Sequence, residues 1–304
     1  MQILQQIVNG LMLGGILAFV AVAFTLTIGM LNFLNFTIPA LFMLAAMTMW
    51  ALSSAGAHAF GFGLHWLAAA AVGIAVALAA SLVIERFTYR FMKAKYGDAT
   101  EHALPLVSSL GFLLIFEHLV ITLWGTEPQR IELPFAETDL RVGGLVVGVP
   151  QLASLALAFV LVALLSALLA RTRIGRALRA IAENPDAATL MGIEVNRIVP
   201  LVFVVTGALS ALAGILYALS HRTVSPYIGD GVAADAIAGM VVGGLGNVWG
   251  AIVGGLFVGM VKVLAISWFG AEIEKIPVWG LLLAILVFKP TGLFGHTRIG
   301  KGKF

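Results

Sequence analysis

The chain has 304 residues, 61% hydrophobic and only 11% charged, with a formal net charge of +3 and no cysteine; its mean hydropathy is +1.04. A soluble domain carries about 25% charged residues, so this composition excludes an ordinary soluble fold and points to a chain embedded in a membrane. The lack of cysteine excludes disulfides, thiolate metal sites and cysteine nucleophiles, and the placement of the charges, in loops between apolar runs, argues against nucleic acid as a partner.

The opening "MQILQQIVNGLMLGGILAF" lacks a basic leader and a small-residue cleavage site, so it is expected to be a retained membrane helix. A helix needs about 20 apolar residues to cross about 30 Å of hydrocarbon. The runs of that length are Ile7–Gly29, Phe36–Ala55, Leu64–Ile84, Leu104–Trp124, Gln151–Ala170, Ile198–Leu219 and Gly250–Trp268. Two shorter runs, Val232–Gly244 and Pro277–Phe288, reach only about 20 Å each and are expected to be half-helices or re-entrant elements. The expected fold is an all-α integral membrane protein, a polytopic bundle of about 8–9 segments, some short or broken. It forms a single transmembrane domain over residues 1–304, with a cytoplasmic loop at 171–197. Between residues 125 and 149 apolar and polar residues alternate at Arg130 to Leu133 and Asp139 to Val142, around a proline and a Gly-Gly. That pattern predicts a small outer β-hairpin, the only strand structure expected.

Basic residues set the expected orientation. Arg86, Arg90, Lys93 and Lys95 follow the third run; Arg171, Arg173, Arg176, Arg179 and Arg197 lie between the fifth and sixth; Lys289, Arg298, Lys301 and Lys303 form the tail. The positive-inside rule assigns these regions to the cytoplasm. The parity of crossings then starts the N-terminus outside.

The loop stretch "ENPDAATLMGI", residues 183 to 193, is a short polar island. Asn184 followed by Pro185 suits an N-cap and first helical position. Asp186 suits the positive end of a helix dipole, and Gly192 a C-terminal stop. Leu190 and Met191 give this helix an apolar face. The bland reading is a solvated loop with basic anchors; the sharper one is a rigid knob offered to a cytoplasmic partner.

Asp186-Ala187-Ala188, three residues and Gly192 resemble the Glu-Ala-Ala-x3-Gly loop of ABC-importer permeases, with Asp for Glu. The fuller run "GRALRAIAENPDAATLMGIEVNRI" is similar to the corresponding loop of the branched-chain amino-acid permease family. "GMLNFLNFTIPALFMLAA", "SSLGFLLIFEHLVITLWG", "GMVVGGLGNVWGAIVGGLFVG" and "VFKPTGLFG" resemble further segments of that family, so the likeness covers nearly the whole chain. The resemblance implies a coupling helix seated on a cytoplasmic ATPase, carried here by Glu183, Pro185, Asp186, Ala187, Ala188, Leu190, Met191 and Gly192. It implies a second, similar or identical permease, two ATP-binding subunits and a soluble solute-binding protein as partners. ATP and magnesium would sit on the ATPases and no cofactor on this chain. One departure stands out: Ile38-Pro39 occupies the place where the family usually has His-Gly.

Asn32, Asn35 and Thr37 flank a break between apolar runs, which suits either helix capping or the lining of a translocation pathway. Glu117, His118, Asp235 and Lys262 are ionisable residues at membrane depth, where charge is costly. They are expected either to pair or to contact substrate, with Glu117 or Asp235 as partner to Lys262. A ladder of glycines from Gly239 to Gly259, with Gly244, Gly246 and Asn247 inside it, predicts close helix packing or a helix break exposed to the pathway. "GHTRIGKG" at 295 to 302 mimics a phosphate loop, but Gly302 stands where Ser or Thr should hold magnesium, and no strand precedes it. The histidines show no metal-ligand spacing. A secondary transporter should show inverted repeats and a carboxylate relay, and an intramembrane enzyme a coherent catalytic set; neither pattern is present in the sequence. An ATP-driven importer permease for amino acids, branched-chain ones first, is the expected function, with other amino acids, urea, short amides or small carboxylates as alternative cargoes. An ion-gradient-driven secondary transporter is the alternative class.

Overall fold

A computed structural model describes residues 2–31, 33–53, 64–91, 103–131, 139–142, 145–183, 185–289 and 291–294. The core begins with α1, Gln2–Leu31. Its middle stretch, Ile16 to Phe24, is apolar on every side, and each of these residues is at most 1% exposed. A helix greasy all round is stable only when enclosed, and α1 is wrapped by the rest of the bundle. It packs most extensively against α10, Val248–Phe269. The two run antiparallel at backbone distance: a methyl added at Gly10 would lie 2.7 Å from the Met260 Cα, and one at Gly14 would lie 2.6 Å from the Leu256 Cα. Small residues let membrane helices approach this closely and gain dispersion along their length.

Helix α2, Thr37–Ser53, is also buried along almost its whole length. It lies between α3, Trp66–Ile84, and α8, Val195–His221. Ser81 on α3 donates to the Phe203 carbonyl of α8 at 2.6 Å, and Ser210 on α8 donates to the Ile38 carbonyl of α2. Ser210 lies midway along α8, so α2 begins inside the bundle, not at its surface. Beyond α3 the chain continues through a π-helical turn, Glu85–Arg90. The outer layer comprises α4, Ala103–Trp124; α5, Val149–Arg171; and α11, Lys275–Phe288. These present apolar residues such as Leu114, Val160 and Leu283 outward.

The charged loop folds as α6, Arg173–Glu183, and α7, Pro185–Leu190. Helix α9, Ile228–Gly243, packs on α10. Among the described residues, five helices are long and apolar enough to cross a membrane: the segments Ile3–Leu31, Trp66–Thr88, Leu104–Trp124, Val195–His221 and Val248–Phe269.

Strands are short. β2, Asp139–Val142, pairs antiparallel with β3, Leu145–Gly148. The segment around Arg130, expected as the other arm of that hairpin, pairs elsewhere: β1, Gln129–Arg130, lies antiparallel to β4, Thr223–Val224. The reason is local to α8, whose end at Arg222 turns left-handed (φ 56°) and delivers Thr223 and Val224 to β1. The expectation of a single strand site is therefore corrected.

The helices give the bundle two distinguishable ends. At the loop end, Arg90 Nη2 donates to the Asn196 carbonyl at 2.9 Å, and Trp249 Nε1 donates to Ser166 Oγ at 2.7 Å. The far end carries β1 and β4 and the connection from α10 to α11.

Candidate functional site

The loop end is built from the corner between α5 and α6. Thr172 caps α6 by accepting from the Gly175 N–H at 3.1 Å, and its hydroxyl donates back to the Leu168 carbonyl at 2.6 Å. Arg179 reaches back to the Leu169 carbonyl. On α6, Leu178 and Ile181 are buried, whereas Arg173, Arg176 and Arg179 are exposed. This division pins the amphipathic helix on the bundle with its guanidinium groups outward.

Helix α7 ends in a Schellman motif. Gly192 has φ +82°, its N–H bonds the Thr189 carbonyl at 2.9 Å, and the Ile193 N–H bonds the Ala188 carbonyl at 3.0 Å. The left-handed position favours glycine, and the paired bonds satisfy carbonyls the helix end would otherwise leave open. Ala188 points inward, 3% exposed, in the apolar cluster with Ile181, Val195 and Phe203. Leu190 and Met191 point the other way, 89% and 84% exposed. The sequence grouped all these residues as one docking set. The structure divides them: Ala188 seats the helix, and Leu190 and Met191 form its outward apolar tip. Glu183 closes α6, Pro185 and Asp186 open α7, and Ala187 is exposed. Asn184 lies outside the described residues.

The break between α1 and α2 is a capped turn. Asn35 Oδ1 accepts from the Thr37 N–H at 3.0 Å and from the Thr37 hydroxyl at 2.6 Å. Both residues are at most 1% exposed. The Phe36 N–H donates to Ser109 on α4 at 3.1 Å. Ile38 is enclosed in the core and Pro39 sits in the first turn of α2, where its missing N–H costs nothing. Asn32 lies outside the described residues.

The glycine ladder is divided in the same way. A methyl at Gly243 would collide with the Gly250 carbonyl, one at Gly254 with the Gly239 carbonyl, and one at Gly255 would lie 2.7 Å from the Ala18 Cα. These glycines weld α9, α10 and α1. Gly244 and Gly246, at φ 112° and 80°, make the turn from α9 to α10 at the loop end. Asn247 caps α10, accepting from Trp249 and Gly250 N–H groups at 3.0 and 3.2 Å, and donates to the Phe294 carbonyl at 2.9 Å. Leu293 and Phe294 in turn give their N–H groups to the Val242 and Gly243 carbonyls at 2.8 and 3.0 Å. Residues 291–294 thus lie as a strap across the turn.

Lys262 on α10 pairs with Asp235 on α9 at 2.7 Å and with Glu274 at 3.3 Å. Of the two partners named from the sequence, Asp235 is the one it meets. Glu274, which follows the short 3-10 turn Ala271–Ile273, was not singled out from the sequence. Its signal was an acid six residues beyond a membrane run, ending at Trp268, that contains a lysine. Glu117 faces inward, within electrostatic reach of Asp230. Its neighbour His118 is exposed and bonds the Leu114 carbonyl at 2.9 Å, so the structure does not bring Glu117 and His118 onto one face. Arg90 also went unnoticed as a bridge: besides Asn196 it faces buried Glu85, Nε to Oε1 3.8 Å.

Residues 6–288 match the family described as branched-chain amino acid transport system / permease component. The chain is similar to the high-affinity branched-chain amino acid transport system permease protein BraD of Pseudomonas aeruginosa, 30% identical over 98% of this chain and 97% of the relative. Its likeness to the permease protein LivH of Escherichia coli K12 is the same, 30% over 98% and 97%. The ribose import permease protein RbsC of Escherichia coli K12 is 35% identical over 40% of each chain. No solved structure matches.

Proposed function

Because this chain belongs to the family of permease components of branched-chain amino acid transport systems, we propose that it is the membrane subunit of an ATP-driven importer of branched-chain amino acids. The observation that carries the mechanism is the division on α7. A rigid, Schellman-stopped helix is seated by Ala188 and holds Leu190 and Met191 out with no part of the described chain over them. An apolar tip held in one orientation suits a groove on a partner that pushes on it.

In this reading the loop end faces the cytoplasm. Arg86, Arg90, Arg171, Arg173, Arg176, Arg179 and Lys289 gather there, as the positive-inside rule requires. The apolar helices α1 to α5 and α8 to α11 make up the roughly 8–9 membrane segments, with α2, α9 and α11 the short ones. The N-terminus starts outside, and the β2–β3 pair caps the outer face. A second permease, similar or identical, completes the membrane unit. Two ATPases supply nucleotide and magnesium chemistry, and a soluble binding protein delivers cargo at the far end. Closure of the ATPases on ATP moves α7, and α6 and Arg90 relay that movement to α5, α8 and the end of α3. Such a switch works only because ATP binds the closed ATPase pair more tightly than the open one. The pathway is lined from the interior residues around Asn35, Thr37, Glu117, Asp235 and the α9–α10 turn.

Labelled-leucine uptake with and without this chain tests the proposal, with ATP depletion and collapse of the proton gradient applied separately. The expected result is chain-dependent uptake that stops on ATP depletion and survives gradient collapse. Uptake that fails with the gradient alone would overturn the ATP-driven reading. Chain-independent leucine uptake would move the cargo to another small solute.

A further inference from the structure

We propose that Lys262 is the bolt of an ion-pair lock, and that it must release Glu274 each time the far end of the bundle opens. The inference rests on reading the chain as a transport permease and adds a moving part to it. Near the loop end, α9 and α10 are joined backbone to backbone through Gly239, Gly243, Gly250 and Gly254, and their turn is held by Asn247 and the strap. Nearer the far end the connection changes character: the Asp235–Lys262 pair links the helices through side chains. The pair of helices is welded at one end and bolted at the other, so relative movement is easier at the bolt.

The bolt has unequal arms. Lys262 meets Asp235 at 2.7 Å and Glu274 at 3.3 Å. The Asp235 side chain is 7% exposed and that of Glu274 is 22% exposed. A charge taken out of water is costly unless it stays paired. Lys262 can let go of Glu274, the longer and wetter contact, while Asp235 keeps its ammonium compensated. Two carboxylates on one lysine therefore permit an opening that never strips the lysine bare. Glu274 leads into α11, so releasing it frees the α10–α11 connection from the Asp235–Lys262 pair.

The chain contains no cysteine, so an introduced pair is the only thiol pair in this subunit, and wild type treated alike reads any thiol of the partners. Lys262→Cys with Glu274→Cys is assembled with the partner subunits and treated with a thiol-cleavable bis-methanethiosulfonate about as long as a lysine side chain. Untreated protein should import; bridged protein should lose at least about fivefold in rate and recover on reduction. Bridged protein importing at the untreated rate would overturn the lock. If the double variant does not assemble, Glu274→Gln keeps the Asp235 pair and decides the matter. Without binding protein, its ATP hydrolysis should rise by about fivefold or more over wild type at equal membrane abundance, and an unchanged rate would overturn the proposal. Wild type runs alongside. If wild type imports no branched-chain amino acid, the cargo reading falls, while hydrolysis by Glu274→Gln against wild type still reads the lock.

Discussion

The α1–α9–α10 centre and the α6–α7 loop solve opposite problems with similar residues. In the centre, glycine and alanine remove side chains so that backbones meet, and α1 buries every side chain from Ile16 to Phe24. On α7, alanine seats the helix and two large apolar residues are kept outside at 89% and 84% exposure. A buried helix in this chain is defined by what it lacks. The loop helix is defined by what it withholds from the core. The first region should therefore fail by overfilling, and the second by a change of surface chemistry that leaves the fold alone.

The largest effect is expected in the centre. Gly255→Leu places a side chain against the Ala18 backbone, and overpacking of this kind costs about 3 kcal/mol. Little correctly inserted protein should remain, as read by detergent-solubilised yield and protease resistance. Next comes the loop tip. Leu190→Glu with Met191→Glu should lower uptake about tenfold, or about 1.4 kcal/mol, with normal abundance and weakened co-purification of the ATPase. Ala188→Arg sharpens the contrast, since it should lower abundance as well as uptake by unseating α7. At the strap, Asn247→Ala removes the α10 cap and the bond to Phe294 together, and thermal unfolding in detergent should report a loss of about 1 kcal/mol. The smallest change is Arg90→Lys, which keeps the charge and gives up the guanidinium geometry. It should cost about 0.5 kcal/mol in the same assay and slow uptake slightly. Full tip activity in the glutamate double variant would erase the distinction between the two regions.

The helices were legible because hydrophobic runs of membrane length have few alternative readings. The run read as Leu104–Trp124 is Ala103–Trp124 in the structure, and Gly250–Trp268 is Val248–Phe269. The stop at Gly192 was legible from one glycine after a short helical pattern, and the Schellman bonds give its mechanism. What the sequence could not supply was facing. Ala188 and Leu190 are two positions apart on a helix, which puts them on nearly opposite sides, but nothing in their identities says which side meets the core. Partners distant in the chain were equally hidden. Thr223 pairs with Arg130 and Asn247 with Phe294 because tertiary packing brings them together, without a local pattern to announce it. Gly244 and Gly246 were read from the sequence either as packing glycines or as a helix break at the pathway; they make the α9–α10 turn, across which the strap lies.

The strap has a consequence for biosynthesis. The Val242 and Gly243 carbonyls receive their partners from Leu293 and Phe294, which are translated about 50 residues later. At roughly 5–20 residues per second, the α9–α10 turn spends several seconds in the nascent chain with those carbonyls unanswered by protein. A ribosome that stops early releases a permease with most of its helices and an unfinished turn. Such a product differs from the finished one by a few hydrogen bonds at a single corner, where a membrane protease or chaperone could tell the two apart.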